Sequence, residues 1–225
     1  MNSIPLLKQY ASILGVTEKT DIRFNVEEIR KEIDSILSMC GVGRYRALNT
    51  PSRGWTLNLS HLPEEKTLPE EVGNHIAKFT GMTRGNEPSL VAAGYSTADL
   101  NVLPPEVANG YLGEVYRKVV EYHNTRVDIP GTITRFNCVF VAEGGGYQLH
   151  KDMHTSVKYH IPVWTNKYSF FAAEHENEIK WVHMPADGAL WILDTQVPHL
   201  AMNISPNTVP REQKVRAHLI IASTV

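Results

Sequence analysis

The sequence predicts an α+β protein that is mainly β, with a jelly-roll core and supporting helices in its N-terminal half. Two observations predict this class. After residue 131 the chain consists of short β-rich segments, which breakers such as residues 144–146 and 185–188 separate. Before residue 131 the strongest patterns are those of two amphipathic helices. Helices followed by many strands favour an antiparallel barrel with helices against one face.

The helical patterns occupy residues 25–41 and the region after residue 104. Asn25 can cap the first helix, an apolar stripe follows it, and Gly41 can end it. Pro104 and Pro105 open the second helix. A short helix is also expected around residues 6–14, within a weakly specified lead-in.

Strand patterns begin at residues 54–60, which alternate between apolar and polar side chains. Residues 61–100 are rich in Pro, Glu, Gly and Thr and indicate a loop-dominated insertion, which is either a lid or a plain surface excursion. The remaining strands are predicted at residues 132–142, 157–164, 168–173, 179–184, 189–194 and 215–224.

The chain has 225 residues, enough to bury one good core, and no change in composition divides it. We therefore expect a single domain over residues 1–225. In this interpretation residues 1–130 supply helical support and a lid-like insertion, and residues 131–225 form the barrel core, which also carries the candidate metal ligands described below.

Charge and cysteine content narrow the class of protein. The 22 basic and 24 acidic side chains leave no excess that would favour nucleic acid or an anionic membrane, so we expect a small-molecule partner. A signal-peptide pattern and an apolar run of about 20 residues are both missing, which predicts a cytoplasmic protein. Cys40 and Cys138 have no metal-binding spacing and are expected to be free core residues.

The strongest chemical pattern is a histidine and an aspartate two residues apart, His150 and Asp152. In an extended segment this spacing points both side chains to the same face, so that both can bind one metal ion. His199, after the apolar run 189–194, is the best third ligand. Two histidines and one carboxylate form the facial triad of non-haem Fe(II) oxygenases. His154 in the same loop remains open as a supporting residue, a substitute ligand or a solvent-facing side chain.

A second pattern indicates an anion site. Lys158 and His160 share a strand face, as do Arg216 and His218. Arg216 lies inside an apolar strand, and a buried arginine needs an anionic partner. That partner is either a bound carboxylate, which fits guanidinium geometry, or a structural acid such as Asp152.

Four further residues are candidates for contacts with a polar substrate. Arg135 and Asn137 share one face of the strand that precedes the segment with His150 and Asp152. Arg53 lies in the turn before the strand predicted at residues 54–60, and Trp55 lies in that strand.

Taken in order, these elements resemble a known family. The elements are His150-x-Asp152, Lys158-Tyr-His160, the apolar run to Asp194, Pro198-His199 and Arg216-Ala-His218. Their order resembles the aspartyl/asparaginyl β-hydroxylase family of Fe(II)/2-oxoglutarate dioxygenases, and in particular its bacterial L-proline cis-4-hydroxylase branch. The resemblance covers about residues 132–224. It implies a double-stranded β-helix, or cupin-like, core.

The resemblance also implies roles for individual residues. His150, Asp152 and His199 would bind Fe(II), Arg216 would bind the distal carboxylate of 2-oxoglutarate, and His160 would help to hold this cosubstrate. The chain departs from the family pattern at Lys158, where relatives have arginine, and at Ala222, where they often have aspartate. The gap between His199 and Arg216 is longer than usual, which leaves Arg211 as a rival carboxylate-binding residue.

The implied activity is hydroxylation of an unactivated C–H bond with Fe(II), 2-oxoglutarate and O2, releasing succinate and CO2. The first expectation for the substrate is a free amino acid or a derivative of one. One alternative is a hydroxylase of Asp, Asn or Pro side chains in a peptide or protein. Another, from a different class, is a cupin-like isomerase or small-acid sensor that binds a metal without oxidising anything.

Overall fold

The structure is a computed structural model that describes residues 8–10, 13, 15–49, 53–63, 79, 94–95, 97–152 and 155–225. Its described strands form two sheets. The six-stranded sheet has the order β2-β9-β6-β11-β4-β3 and contains β2 (Thr17–Arg23), β3 (Gly54–Asn58), β4 (Thr132–Ala142), β6 (Thr155–Trp164), β9 (Ala189–Asp194) and β11 (Val215–Thr224). The five-stranded sheet has the order β1-β8-β7-β10-β5 and contains β1 (Lys8–Tyr10), β5 (Gly145–Gly146), β7 (Ser169–His175), β8 (Glu178–Val182) and β10 (His199–Asn203).

The two sheets form the predicted mainly β, α+β fold with a double-stranded β-helix core. All described strand pairs are antiparallel except β1 with β8, and the chain passes repeatedly from one sheet to the other after β6. The predicted strands 132–142, 189–194 and 215–224 coincide with β4, β9 and β11 from end to end.

In the described parts of the chain, three α-helices support the six-stranded sheet, namely α1 (Val26–Met39), α2 (Pro105–Ala108) and α3 (Tyr111–Thr125). Ile33 of α1 and Val119 of α3 share one buried cluster with Phe136 and Phe140 of β4 and with Leu219 of β11. Along β4 and β11 these residues alternate with others that do not belong to this cluster, including Asn137, Arg216 and His218. The opposite faces of the same strands are therefore turned toward the other sheet.

The helix ends show why these segments begin where they do. Asn25 caps α1 as predicted, because its Oδ1 accepts hydrogen bonds from Glu27 N at 3.1 Å and Glu28 N at 3.4 Å. The second predicted helix is divided in two at Gly110. The Glu32 carboxylate of α1 accepts a hydrogen bond from Leu112 N at 2.8 Å, so α1 itself caps α3.

The prediction of a helix around residues 6–14 was wrong where the structure describes this segment. Lys8–Tyr10 forms β1, which pairs with β8, and Thr17–Arg23 forms β2, which pairs with β9. Pairing with a neighbouring strand overrides weak local preference in these edge segments. Most of the expected lid, residues 64–78 and 80–93, lies outside the described residues.

Cys40 and Cys138 are both buried and free, as predicted. No helix in the described parts of the chain combines the length and apolar character that crossing a membrane requires.

We expect Gly188→Ala to destabilise the fold more than Gly144→Ala. Both glycines have positive φ, 79° and 69°, and this conformation costs an alanine about 1–2 kcal/mol. A Cβ on Gly188 would also lie 2.2 Å from Phe24 O, whereas a Cβ on Gly144 meets nothing within 4 Å. Crowding of this kind adds about 1–3 kcal/mol. Urea unfolding of both variants measures the difference, and equal losses of stability would contradict the prediction.

Candidate metal centre

A reciprocal backbone pair brings His150 and His199 together. His150 N donates to His199 O at 3.0 Å, and His199 N donates to His150 O at 2.8 Å. In an antiparallel bridge of this kind the two side chains lie on the same face. The centroids of the imidazole rings are 4.4 Å apart.

The orientation of both rings is set by main-chain carbonyls. His150 Nδ1 is 2.6 Å from Gln148 O, and His199 Nδ1 is 2.9 Å from Val197 O. A carbonyl oxygen only accepts hydrogen bonds, so each Nδ1 carries the proton and each Nε2 is left with a free lone pair. This is the tautomer in which metal-binding histidines are commonly held. Burial lowers the pKa of His199, which favours the neutral form of this candidate ligand.

Asp152 completes the cluster. Its backbone N donates to Thr195 O at 3.0 Å, which attaches the segment that carries His150 and Asp152 to the end of β9. Its Oδ1 is 3.7 Å from His150 Nε2, and its Oδ2 is 3.9 Å from His199 Nε2. One ligand atom from each of the three residues lies within 4.8 Å of the others. The structure thus brings together the three ligands that the sequence predicted.

Lys158 pairs with the metal-site carboxylate. Its Nζ is 2.5 Å from Asp152 Oδ2, and the two side chains are 15% and 17% exposed. Burial alone would raise the pKa of Asp152, but Lys158 holds it below its usual range. The sequence predicted Lys158 as a cosubstrate contact, and the structure places its ammonium group on the candidate metal ligand.

A row of buried polar side chains follows the inner face of the six-stranded sheet. His160 of β6 and Arg216 and His218 of β11 are each at most 5% exposed. Arg216 Nη2 is 3.1 Å from His218 Nδ1, which is 3.3 Å from His160 Nδ1. Burial and then Arg216 lower the pKa of both histidines well below the usual range, so both are neutral.

Arg216 carries a charge in this row without an acidic partner. Among the described residues, no aspartate or glutamate lies within ion-pair distance of it. Burial lowers the pKa of Arg216 to about 10, so the guanidinium remains charged at neutral pH. Its rival Arg211 is exposed and lies over the Tyr45 ring at 5.2 Å, on the outer surface.

The four candidate substrate residues are divided between two faces of the sheet. Asn137 lies on the inner face, where its buried Oδ1 has no hydrogen-bond partner among the residues that the structure describes, and Arg135 is half-buried two residues before it. Trp55 lies on the helix-facing side against Phe140, with ring centroids 5.2 Å apart. Arg53 is exposed and donates to Leu48 O. His154 lies outside the described residues.

Sequence reasoning gave no role to His218, although its spacing of two from Arg216 was visible. It also missed the carbonyls of Gln148 and Val197, which orient the rings of His150 and His199, and the carbonyl of Thr195, which holds the backbone of Asp152. Backbone carbonyls carry no side-chain signal, so only the fold could reveal them.

Comparisons with known proteins bear on the fold. No family model matches the sequence, and no curated protein is similar to it. One similar solved structure is an oxidoreductase of the 2OG-Fe(II) oxygenase family from Burkholderia pseudomallei, at 8% identity and a TM-score of 0.52, covering 97% of this chain and 95% of that one. At this identity the likeness shows a shared fold.

Two weaker likenesses are to smaller parts of the chain. A Lactobacillus farciminis oxalate decarboxylase in a formate complex is 16% identical with a TM-score of 0.32, over 43% of this chain and 25% of that one. A cupin domain of a transcriptional regulator from Enterobacter cloacae is 9% identical with a TM-score of 0.28, over 40% and 81%. Neither supports a further conclusion.

We expect Asp152→Ala to weaken Mn(II) binding by more than about 100-fold, because a neutral methyl group replaces one of three ligands. Asp194→Asn is the matched control, since Asp194 lies at the end of β9 and its Oδ1 accepts from Gln196 N. This control should leave metal affinity nearly unchanged. Titration calorimetry measures both variants, and wild-type affinity in Asp152→Ala would remove Asp152 from the ligand set.

Proposed function

We propose that this protein is an Fe(II)- and 2-oxoglutarate-dependent dioxygenase that hydroxylates a small polar molecule, with a free amino acid or a derivative as the first candidate. The observation that carries the proposal is the His150, Asp152 and His199 cluster, which shares the space between the sheets with a buried arginine that has no acidic partner in the described part of the chain. The shared fold with a 2OG-Fe(II) oxygenase family member supports the same class.

The donor set fits ferrous iron. Two neutral imidazoles and one carboxylate satisfy three positions of an octahedral ion and leave three for other ligands. Both imidazoles have their lone pairs at Nε2, and Asp152 offers Oδ1 toward His150 while Oδ2 faces Lys158. No ligand therefore has to change its tautomer to bind the metal.

The anion site fits a dicarboxylate cosubstrate. One carboxylate and the keto group of 2-oxoglutarate can bind the metal, which leaves its distal carboxylate for a guanidinium. Arg216 supplies the guanidinium from inside β11, where burial strengthens the attraction between this cation and an anion. Lysine and histidine offer weaker geometric matches to a carboxylate than the guanidinium fork does.

When bound, the iron and 2-oxoglutarate would supply the activation of O2, with release of succinate and CO2. The task of the protein is to hold the reactants and to exclude water. An apolar wall serves the second purpose, because Phe171 stacks on His199 with ring centroids 5.5 Å apart. Ala173, Trp191 and Leu193 continue this wall between the sheets.

The first experiment is anaerobic addition of Fe(II) and 2-oxoglutarate to the metal-free protein. A weak charge-transfer band near about 500 nm is expected for this chelate at an open facial triad, and it should be lost in Asp152→Ala and His199→Ala. Metal binding without the band would count against the cosubstrate and would favour a non-oxidative metal protein.

Replacement of Arg216 should weaken 2-oxoglutarate binding far more than replacement of Arg211. Loss of a charge-assisted contact of about 1.5–3 kcal/mol corresponds to about 10–100-fold in affinity. We therefore expect this loss in Arg216→Met and nearly wild-type affinity in Arg211→Met, by titration of the charge-transfer band. The reverse order would assign the carboxylate to Arg211.

A further inference from the structure

The buried cation Arg216 is held by a neutral side chain instead of a carboxylate. Arg216 is 2% exposed as a residue, and its Nη2 lies 3.1 Å from Nδ1 of His218, which is also 2% exposed. Both residues belong to β11, and their spacing of two places them on one face of the sheet. Buried arginines are normally paired with an acid, so this arrangement needs an explanation.

The partners of His218 determine its tautomer. A guanidinium can only donate hydrogen bonds, so His218 Nδ1 must accept and the ring proton must lie on Nε2. His160 Nδ1 lies 3.3 Å from the same nitrogen. Burial and the charge of Arg216 both disfavour protonation of His218, so the ring stays uncharged.

A neutral acceptor and an acidic one would have different consequences for Arg216. An aspartate or glutamate at this position would also orient the guanidinium, but it would neutralise most of the positive charge. The imidazole restricts the guanidinium without cancelling the charge. In a buried site, where solvent screens little, the remaining charge determines which ligand can bind.

Building on the proposed function, we infer that His218 is a positioning residue for the cosubstrate site. It fixes the guanidinium of Arg216 as a neutral hydrogen-bond acceptor and so keeps the positive charge available for the distal carboxylate of 2-oxoglutarate.

The test compares His218→Asn with His218→Asp in the Mn(II)-loaded protein. The two new side chains have nearly the same shape and both offer an oxygen near the position of Nδ1, but only aspartate is negatively charged. Titration calorimetry with 2-oxoglutarate should give an affinity within about 5-fold of wild type for His218→Asn. The His218→Asp variant should bind more than about 100-fold more weakly. Neither variant should bind Mn(II) more weakly than wild type, because neither removes a candidate metal ligand, and the added carboxylate of His218→Asp reduces the repulsion between Arg216 and the metal ion.

Urea unfolding separates this role from a purely structural one. His218→Asp should be no less stable than His218→Asn, because the carboxylate supplies a counter-charge for the buried guanidinium. Relative to His218→Asn, the His218→Asp variant should therefore be at least as stable to urea but should bind 2-oxoglutarate more weakly. Equal 2-oxoglutarate affinity in the two variants, or a loss in His218→Asn as large as in His218→Asp, would overturn the assignment.

The tautomer provides a check that needs no variant. Nitrogen-15 NMR of the imidazoles in the wild-type protein should show His218 neutral with its proton on Nε2, and a proton on Nδ1 would overturn the assignment. Failure of the Mn(II)-loaded wild type to bind 2-oxoglutarate would overturn the proposed function and this inference with it. Normal wild-type binding with equal affinities in the two variants would overturn the inference alone.

Discussion

The candidate metal centre depends on one backbone interaction, the reciprocal pair of hydrogen bonds between His150 and His199. The first residue follows β5 and the second begins β10, so the pair joins segments that are 49 positions apart in the numbering. The bond from Asp152 N to Thr195 O adds a second point of attachment. Three side chains from two segments are thereby held on a rigid framework before any metal binds, which reduces the entropy that binding must overcome.

The two ends of the space between the sheets differ in character, and this difference shapes the site. One end is filled by apolar residues of β7, β8 and β9, and the other contains His160, Arg216 and His218. Burial disfavours the charged form of each group. The two histidines are therefore neutral, whereas the guanidinium remains charged at neutral pH because its pKa falls only to about 10. The protein therefore offers lone pairs for a metal and a localised positive charge for an anion.

Much of this arrangement could be predicted from the sequence, because it rests on alternation and spacing. The strands β4, β9 and β11 are largely apolar, and the spacing of two between His150 and Asp152 does place both side chains at one site. The short edge strands β1 and β2 escaped prediction because their residues are largely polar and their stability comes from pairing with β8 and β9. The pairing of Lys158 with Asp152 could not be predicted from the sequence either, because it depends on the path of the segment that joins β5 to β6.

The charges of the site explain how a metal and a dicarboxylate could bind together. Lys158 and Asp152 form a neutral pair, so the uncompensated charge among these buried groups is that of Arg216. A divalent cation alone would add two positive charges near this arginine, and its binding would be opposed by repulsion in a weakly screening interior. A cosubstrate with two negative charges removes that repulsion. Under the proposed function, metal and 2-oxoglutarate therefore strengthen each other's binding, and the coupling must be the same in both directions.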